Sequence, residues 1–313
     1  MILDKIQSRA QNLGLAAVGV APAVEEVLAR FPWAQSVICA ALSYLPPEEP
    51  PPDARPRGLV ARFARGVDYH LVLRQKLQSL REIILGIYPD ALAEVCVDTT
   101  RIPERKLAVL SGIGFRGWNA NVFVGDNGSW VVLGEIVTDL RLPPNPNPQQ
   151  NKCAECKECM KRCPTQAIKQ PYVVDRNLCL SDVTQRRGVI PPELRLKLGN
   201  RVYGCDVCQE VCPLNRDVAP STPEFARRVF PGAHPDLIEL MLMTEDDFQA
   251  RVRHSSIGWI GRSTIRRNAA VAAGNLESEE AVSALEQLAQ DVDPAVAEHA
   301  TWAIERIRQR LSR

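Results

Sequence analysis

The chain is poor in aromatic residues, with Phe, Trp and Tyr together at 5%. That argues against the broad stacking platforms of single-strand nucleic-acid binders. It has no apolar run approaching the roughly 18 residues that a membrane-crossing helix needs, and no leader-like segment opens it. These absences predict a soluble, cytoplasmic protein with no membrane partner. An excess of charge of one sign is missing too, the formal net charge being +1. A globally basic nucleic-acid binder is thereby excluded. A local basic surface is not, because phosphate contacts depend on where Lys and Arg stand. What remains is ordinary globular material, 45% hydrophobic over 313 residues, enough for two or three domains.

Cysteine is where the chain is rich. Eight of its 10 cysteines fall between Cys153 and Cys212. The first motif runs C-x2-C-x2-C-x3-C-P, from Cys153 through Cys156, Cys159 and Cys163 to Pro164. A lone Cys179 follows, then C-x2-C-x3-C-P from Cys205 through Cys208 and Cys212 to Pro213. This is the bacterial ferredoxin pattern, in which three thiolates hold one 4Fe–4S cluster and the fourth crosses to the other. The crossing rule gives Cys153, Cys156, Cys159 and Cys212 to one cluster. Cys163, Cys205 and Cys208 go to the second, and Cys179 fills its remaining place. Paired zinc sites would need only C-x2-C knuckles, not a triple closed by x3-C-P. Disulfides suit a different compartment. Cys39 and Cys96, outside the region, read as small buried hydrophobes.

The rest of the chain separates by pattern. Residues 1–145 combine helical stretches, at the N-terminus, at 68–88 and after Pro103, with apolar strand-like runs at 16–21, 36–42, 93–97 and 129–138. They predict one mixed α/β domain, interrupted by a proline-dense surface loop at 45–56. A linker rich in Pro, Asn and Gln leads into a ferredoxin-like dicluster domain at 146–220. Residues 221–313 end in three amphipathic helices with regularly spaced alanines, resembling a HEAT-type repeat. Asp293-Pro294 starts the last of them. These helices serve either as a plain helical cap or as a nucleic-acid-facing surface led by Arg262, Arg266 and Arg267. The expected fold class is therefore multidomain α+β.

Several segments together resemble epoxyqueuosine reductase. They are V-D-T-T-R-I-P-E-R-K-L-A-V-L-S-G-I-G-F, N-G-S-W-V-V-L-G-E-I-V-T-D, R-F-A-R-G-V-D-Y-H, G-N-R-V-Y-G-C-D-V-C-Q, R-R-N-A-A-V-A-A-G-N and the two cysteine motifs. The resemblance spans almost the whole chain in the right order. It implies reduction of the epoxide of epoxyqueuosine, at the tRNA anticodon wobble position, to queuosine. It also implies a cobalamin held against two 4Fe–4S clusters, an external low-potential electron donor and a monomer. The substrates would be the tRNAs that accept His, Asp, Asn and Tyr.

Carried over residue by residue, Asp98 matches the family's proton donor, and corrin contacts fall near Ala61, Asp98, Val122, Leu133, Leu180 and Asp206. Arg186, Arg187, Arg262, Arg266 and Arg267 are the candidates for tRNA phosphates. A carboxyl group with a raised pKa suits protonation of a departing oxygen. Read from its neighbours alone, Asp98 also fits a helix N-cap before P-E-R. No D-x-H-x-x-G segment occurs, so His70 reads as a supporting residue and not as a cobalt ligand. Three departures touch substrate handling: a short stretch between Ala21 and Phe31, Trp118 where relatives carry Lys, and V-D-T-T-R where they carry V-D-T-G-P. Two other readings stand beside this one. They are a dicluster electron carrier serving a partner enzyme, and a related, dehalogenase-like cobalamin reductase.

Overall fold

The computed structural model describes residues 2–98, 102–144, 149–153, 155–220, 223–226 and 229–312. In the N-terminal part α1 (Ile2–Asn12) leads into β1 (Ala17–Pro22) and β2 (Ser36–Ser43). The shortened stretch between these strands holds one helical turn, Glu25–Leu28. A two-residue strand β3 (Leu59–Val60) precedes α2 (Tyr69–Ile87), and then come β4 (Ala93–Cys96) and α3 (Glu104–Leu110). The small pair β5 (Phe115–Arg116) and β6 (Val122–Phe123) leads to β7 (Val131–Thr138).

One sheet, ordered β1-β2-β7-β4, organises this part, and every neighbouring pair in it is antiparallel. The sequence pattern predicted an α/β-type domain; the sheet is of the α+β kind. The continuous apolar run of β2 has a simple cause. All eight of its residues are buried, because helices cover both faces of the sheet. Ile38, Ala40 and Leu42 pack with Leu73, Leu77, Leu80 and Ile84 of α2. Val37, Cys39 and Ala41 pack with Leu107 and Ala108 of α3 and with Cys96. Cys39 and Cys96 are thus buried, as their surroundings implied. Gly134 of β7 is required by the approach of α2, since a Cβ there would sit 2.8 Å from Leu77 and 3.2 Å from the Cys96 carbonyl oxygen.

Beyond the sheet lie the hairpin β8 (Ile168–Gln170) and β9 (Val173–Val174), then α4 (Leu180–Gln185) and β10 (Arg201–Tyr203). The helical part contains α5 (Leu237–Leu242), α6 (Arg262–Leu276), α7 (Val282–Leu288) and α8 (Pro294–Leu311). Asp293 caps α8 by accepting from the Ala295 N–H, with Pro294 in the first turn. Small residues let α6 and α8 touch closely: a Cβ on Gly274 would lie 2.8 Å from that of Ala303.

The cores do not follow the expected division at 145 and 220. β3 pairs in parallel with β10, and Val60, Ala64, Val202 and Tyr203 share one core with α5 to α8. Phe225 packs the other way, into the core of α1, α2 and the sheet. Among the described residues no helix is long and apolar enough to cross a membrane.

Candidate active site

Asp98 stands just past the end of β4, where its φ of +52° turns the chain out of the strand. Asp tolerates this left-handed region better than most side chains, and unusual backbone angles concentrate where function needs them. The helix after it, α3, has Pro103 at its N-cap, so Asp98 is not the cap. It is also no continuation of the β4 face that holds Cys96. The next three residues, Thr99 to Arg101, lie outside the described residues.

The D-Y-H segment meets Asp98 from the start of α2. Asp68 caps that helix by accepting from the His70 N–H at 3.0 Å. The His70 ring then spans two carboxylates: Nδ1 is 2.7 Å from Asp68 Oδ1 and Nε2 is 3.3 Å from Asp98 Oδ2. The Tyr69 hydroxyl donates to Asp98 Oδ2 at 3.1 Å, and the Tyr69 and His70 rings stack at 4.0 Å.

These contacts set the charges. The hydrogen bond from His70 holds the Asp98 carboxyl below its ordinary range, against partial burial and with help from Tyr69. Burial disfavours the imidazolium of His70, but the two carboxylates outweigh it and push its pKa up to about 9. The raised carboxyl expected at Asp98 is therefore found elsewhere. Glu104, which accepts a hydrogen bond from the Asp98 backbone N–H, is pushed up to about 7, chiefly by burial.

Asp98 and Glu104 border a cavity of about 740 Å³, toward the large end of the range for small-molecule sites. Val122, Leu133, Leu180 and Asp206 line it as well. Ala61 does not. Its N–H donates to the Tyr203 carbonyl, and its Cβ packs at Gly204, behind the wall. Asp206 is buried, which raises its pKa, and its Oδ2 accepts from the Arg62 N–H at 2.7 Å. No histidine is among the described lining residues.

Four cysteines, Cys163, Cys179, Cys205 and Cys208, also reach this cavity. Cys208 lies within electrostatic range of Cys205 and Cys179. The other four are grouped together: Cys159 and Cys212 each feel Cys153 and Cys156, Cys159 is also within range of Cys208, and none of the four lines the cavity. Backbone N–H groups point at the sulfurs, from Ala167 to Cys163 at 3.3 Å and from Trp118 to Cys153 at 3.4 Å. Outer-shell hydrogen bonds of this kind orient and tune thiolate ligands. Trp118 itself carries a cation over its ring, the Lys157 ammonium at 5.9 Å.

The arginines divide. Arg267 is 2% exposed, and its guanidinium donates to the carbonyls of Arg186 and Gly188 and to Asn268 Oδ1. Its place as a phosphate contact is corrected: it closes a gap between α6 and the loop after α4. Arg266 is corrected likewise, being paired with Asp291 and bonded to the Met241 carbonyl. Arg262 is tied to Glu245 and the Met243 carbonyl, and Arg186 to Asp182 and Asn177. Arg187 is exposed and borders, with Arg262, a second cavity of about 360 Å³. Sequence reasoning passed over Tyr69, Glu104, Arg105 and Asn121 on the main cavity. Only their place beside the quoted D-Y-H, P-E-R and G-W-N segments signals them.

Residues 152–215 match the family described as a 4Fe-4S double cluster binding domain, which defines an iron–sulfur protein with four cysteines on a substrate-sized cavity. Residues 26–99, ending just after Asp98, match the family described as Epoxyqueuosine reductase QueG, DUF1730. Epoxyqueuosine reductase of Shewanella oneidensis is 40% identical over 281 residues, covering 86% of this chain and 71% of the relative. The chain belongs to the epoxyqueuosine reductase family. A crystal structure of an epoxyqueuosine reductase with an epoxyqueuosine-modified tRNA-Tyr stem loop superposes with a TM-score of 0.90 at 30% identity, over 97% of this chain and 90% of that one. The Bacillus subtilis enzyme, in a structure with its aspartate catalytic loop swung out of the active site, gives 0.89 at 29% identity, over the same shares.

Proposed function

We propose that the chain reduces the epoxide of epoxyqueuosine in tRNA to the alkene of queuosine, at the cavity bordered by Asp98 and the inner cysteines. A cytoplasmic location follows from such a substrate. The carrying observation is that one cavity joins Asp98 with Cys163, Cys179, Cys205 and Cys208. Those four would hold an inner 4Fe–4S cluster, and Cys153, Cys156, Cys159 and Cys212 an outer one. Electrons from an external low-potential donor enter at the outer cluster, where Cys156 is exposed, and pass inward singly.

A cobalamin suits this cavity on three grounds: its volume, its apolar wall of Val122 and Leu133, and its floor of thiols. When bound it supplies low-valent cobalt as the two-electron reductant of the epoxide carbon. Val122, Leu133 and Leu180 would flank it and Asp206 would meet its polar edge. The protein's own part is proton supply. Removing the oxygen as water breaks both epoxide C–O bonds, forms a C=C bond and consumes two electrons and two protons. Asp98 Oδ2 delivers a proton that His70 holds in the resting site. His70 stays protonated up to a pH of about 9, so the pair remains charged at neutral pH. Exposed Arg187, with Arg262 beside it, would position phosphates of the tRNA.

An electron carrier without its own substrate needs neither the cavity nor the His70–Asp98 pair. The test is turnover of tRNA bearing the epoxide by the cluster-loaded protein, with and without cobalamin. Asp98→Asn, with iron and cobalamin content intact, loses about 10² to 10⁴ of the rate. Undiminished turnover in that variant, or protein purified anaerobically with cobalamin that retains none, refutes the reading.

A further inference from the structure

Glu135 of β7 is fully buried, and among the described residues neither of its carboxylate oxygens has a hydrogen-bond partner. Its partners across the sheet are Cys39 on β2 and Cys96 on β4, so it faces the layer covered by α3. Neither neighbour offers a compensating positive charge. An ionised carboxylate there would carry a desolvation cost of several kcal/mol, so the group holds a proton. Burial, with the charges of Glu104 and Asp98 added, accordingly raises its pKa well above the ordinary value.

Glu135 is not isolated from the active site. Leu133, two residues back on the same face of β7, lines the cavity. Glu104 at the first position of α3 lines it too, and one of its oxygens accepts from the Asp98 N–H. Among the described residues nothing donates a hydrogen bond to its second oxygen, where a proton can sit. Asp98, Arg105, His70 and Glu135 are the charged or titratable groups around Glu104. Glu104 and Asp98 are those around Glu135, with the Cys39 thiol beside it.

Epoxide reduction to an alkene and water needs two protons per turnover, and the His70–Asp98 pair holds one. We propose that Glu104 is a proton store behind Asp98 and passes the second proton to the Asp98 carboxylate, while the buried Glu135 keeps its own proton and adds no negative charge to the site. An O–H bond on Glu104 breaks and one on Asp98 forms. The two electrons arrive through the iron–sulfur clusters, and solvent at the cavity mouth recharges Glu104. Glu104 acts through Asp98 as a supply residue. The inference rests on the role given above to Asp98.

Infrared spectroscopy of the full, cluster-loaded chain, in H2O and D2O, tests the store without turnover. The protonated-carboxyl stretch expected of Glu135 persists well above the ordinary carboxylate range and is lost in Glu135→Gln. A second stretch titrates near about 7 and is lost in Glu104→Gln. Absence of both bands from the unaltered protein overturns the store.

In the tRNA assay, Glu104→Gln lowers kcat about tenfold at unchanged KM, below the full worth of a direct acid. It also removes the fall in rate as pH rises through about 7, where Glu104 ordinarily loses its proton. An unchanged kcat and unmoved alkaline limb in Glu104→Gln overturn the use of the store even with both bands present. Glu104 is only partly buried, so this variant decides the matter should Glu135→Gln not fold. Failure of the Asp98 role reads differently: Asp98→Asn then turns over normally while both infrared bands remain.

Discussion

The cysteine loops and the Asp98 pocket meet at one cavity but are built in opposite ways. The loops hold their sulfurs through short steps, three or four positions apart, with N–H groups of nearby residues such as Ala167 pointing at them. The pocket gathers Asp98 after β4, Tyr69 and His70 from α2, Glu104 from α3 and Leu133 from β7. Local geometry survives on local sequence; the pocket exists only while the sheet and its covering helices stay packed. Damage to a loop should therefore strike one cluster, whereas damage to packing should spread.

The largest effect tests the loop side. Cys205→Ala removes one inner thiol, so activity on tRNA should be abolished while the outer cluster survives. Iron analysis should then find roughly half the metal of the unaltered protein; loss of all iron would show that the two loops are not independent.

Next comes the packing side, away from the chemistry. Arg267→Met strands the carbonyls of Arg186 and Gly188 in the interior. Each buried group left unpaired costs about 1–3 kcal/mol, so denaturant unfolding should show a loss of about 3 kcal/mol. A variant as stable as the parent, but weaker in tRNA binding, would return Arg267 to the nucleic-acid surface.

A smaller change is expected at Arg187. Arg187→Ala should weaken tRNA binding and reduce the salt dependence of its affinity by about one counterion, with iron content and melting temperature unmoved.

The smallest effect is on stability against pH. The folded pKa of His70, about 9, lies above its ordinary 6.5. Its contribution to stability is therefore fully present below pH 6.5 and lost as pH rises through about 9. The carboxyl of Asp98 is shifted the other way, from 3.8 downward, so its contribution is present above 3.8 and lost on acidification. Between those limits the pair should stabilise the fold. His70→Ala should flatten the alkaline side of the stability profile, measured by denaturant unfolding across pH.

Much of the outline was legible in advance. The strands at 17–22, 36–43, 93–96 and 131–138 and the helices at 69–87 and 294–311 fall where apolar spacing placed them. Arginine was misleading because a guanidinium can serve carbonyls as readily as phosphates, and Arg267 and Arg266 sit one residue apart on α6 with their donors turned inward. Ala61 gave no local signal that Gly204 would pack against it. Nor could the charge of Asp98 be read from V-D-T, since it depends on an imidazole 28 residues away in the chain.

By itself, then, the sequence determined the cluster chemistry, because thiolate spacing within a loop limits which sulfurs can share an iron–sulfur cube. It also settled the helix and strand periods and the start of α8 at Asp293-Pro294. The tertiary structure alone decided the antiparallel sheet, the sharing of cores across the expected boundaries and the protonation pattern around Asp98. Burial and long-range contact set those energies, and neither is a property of neighbouring residues.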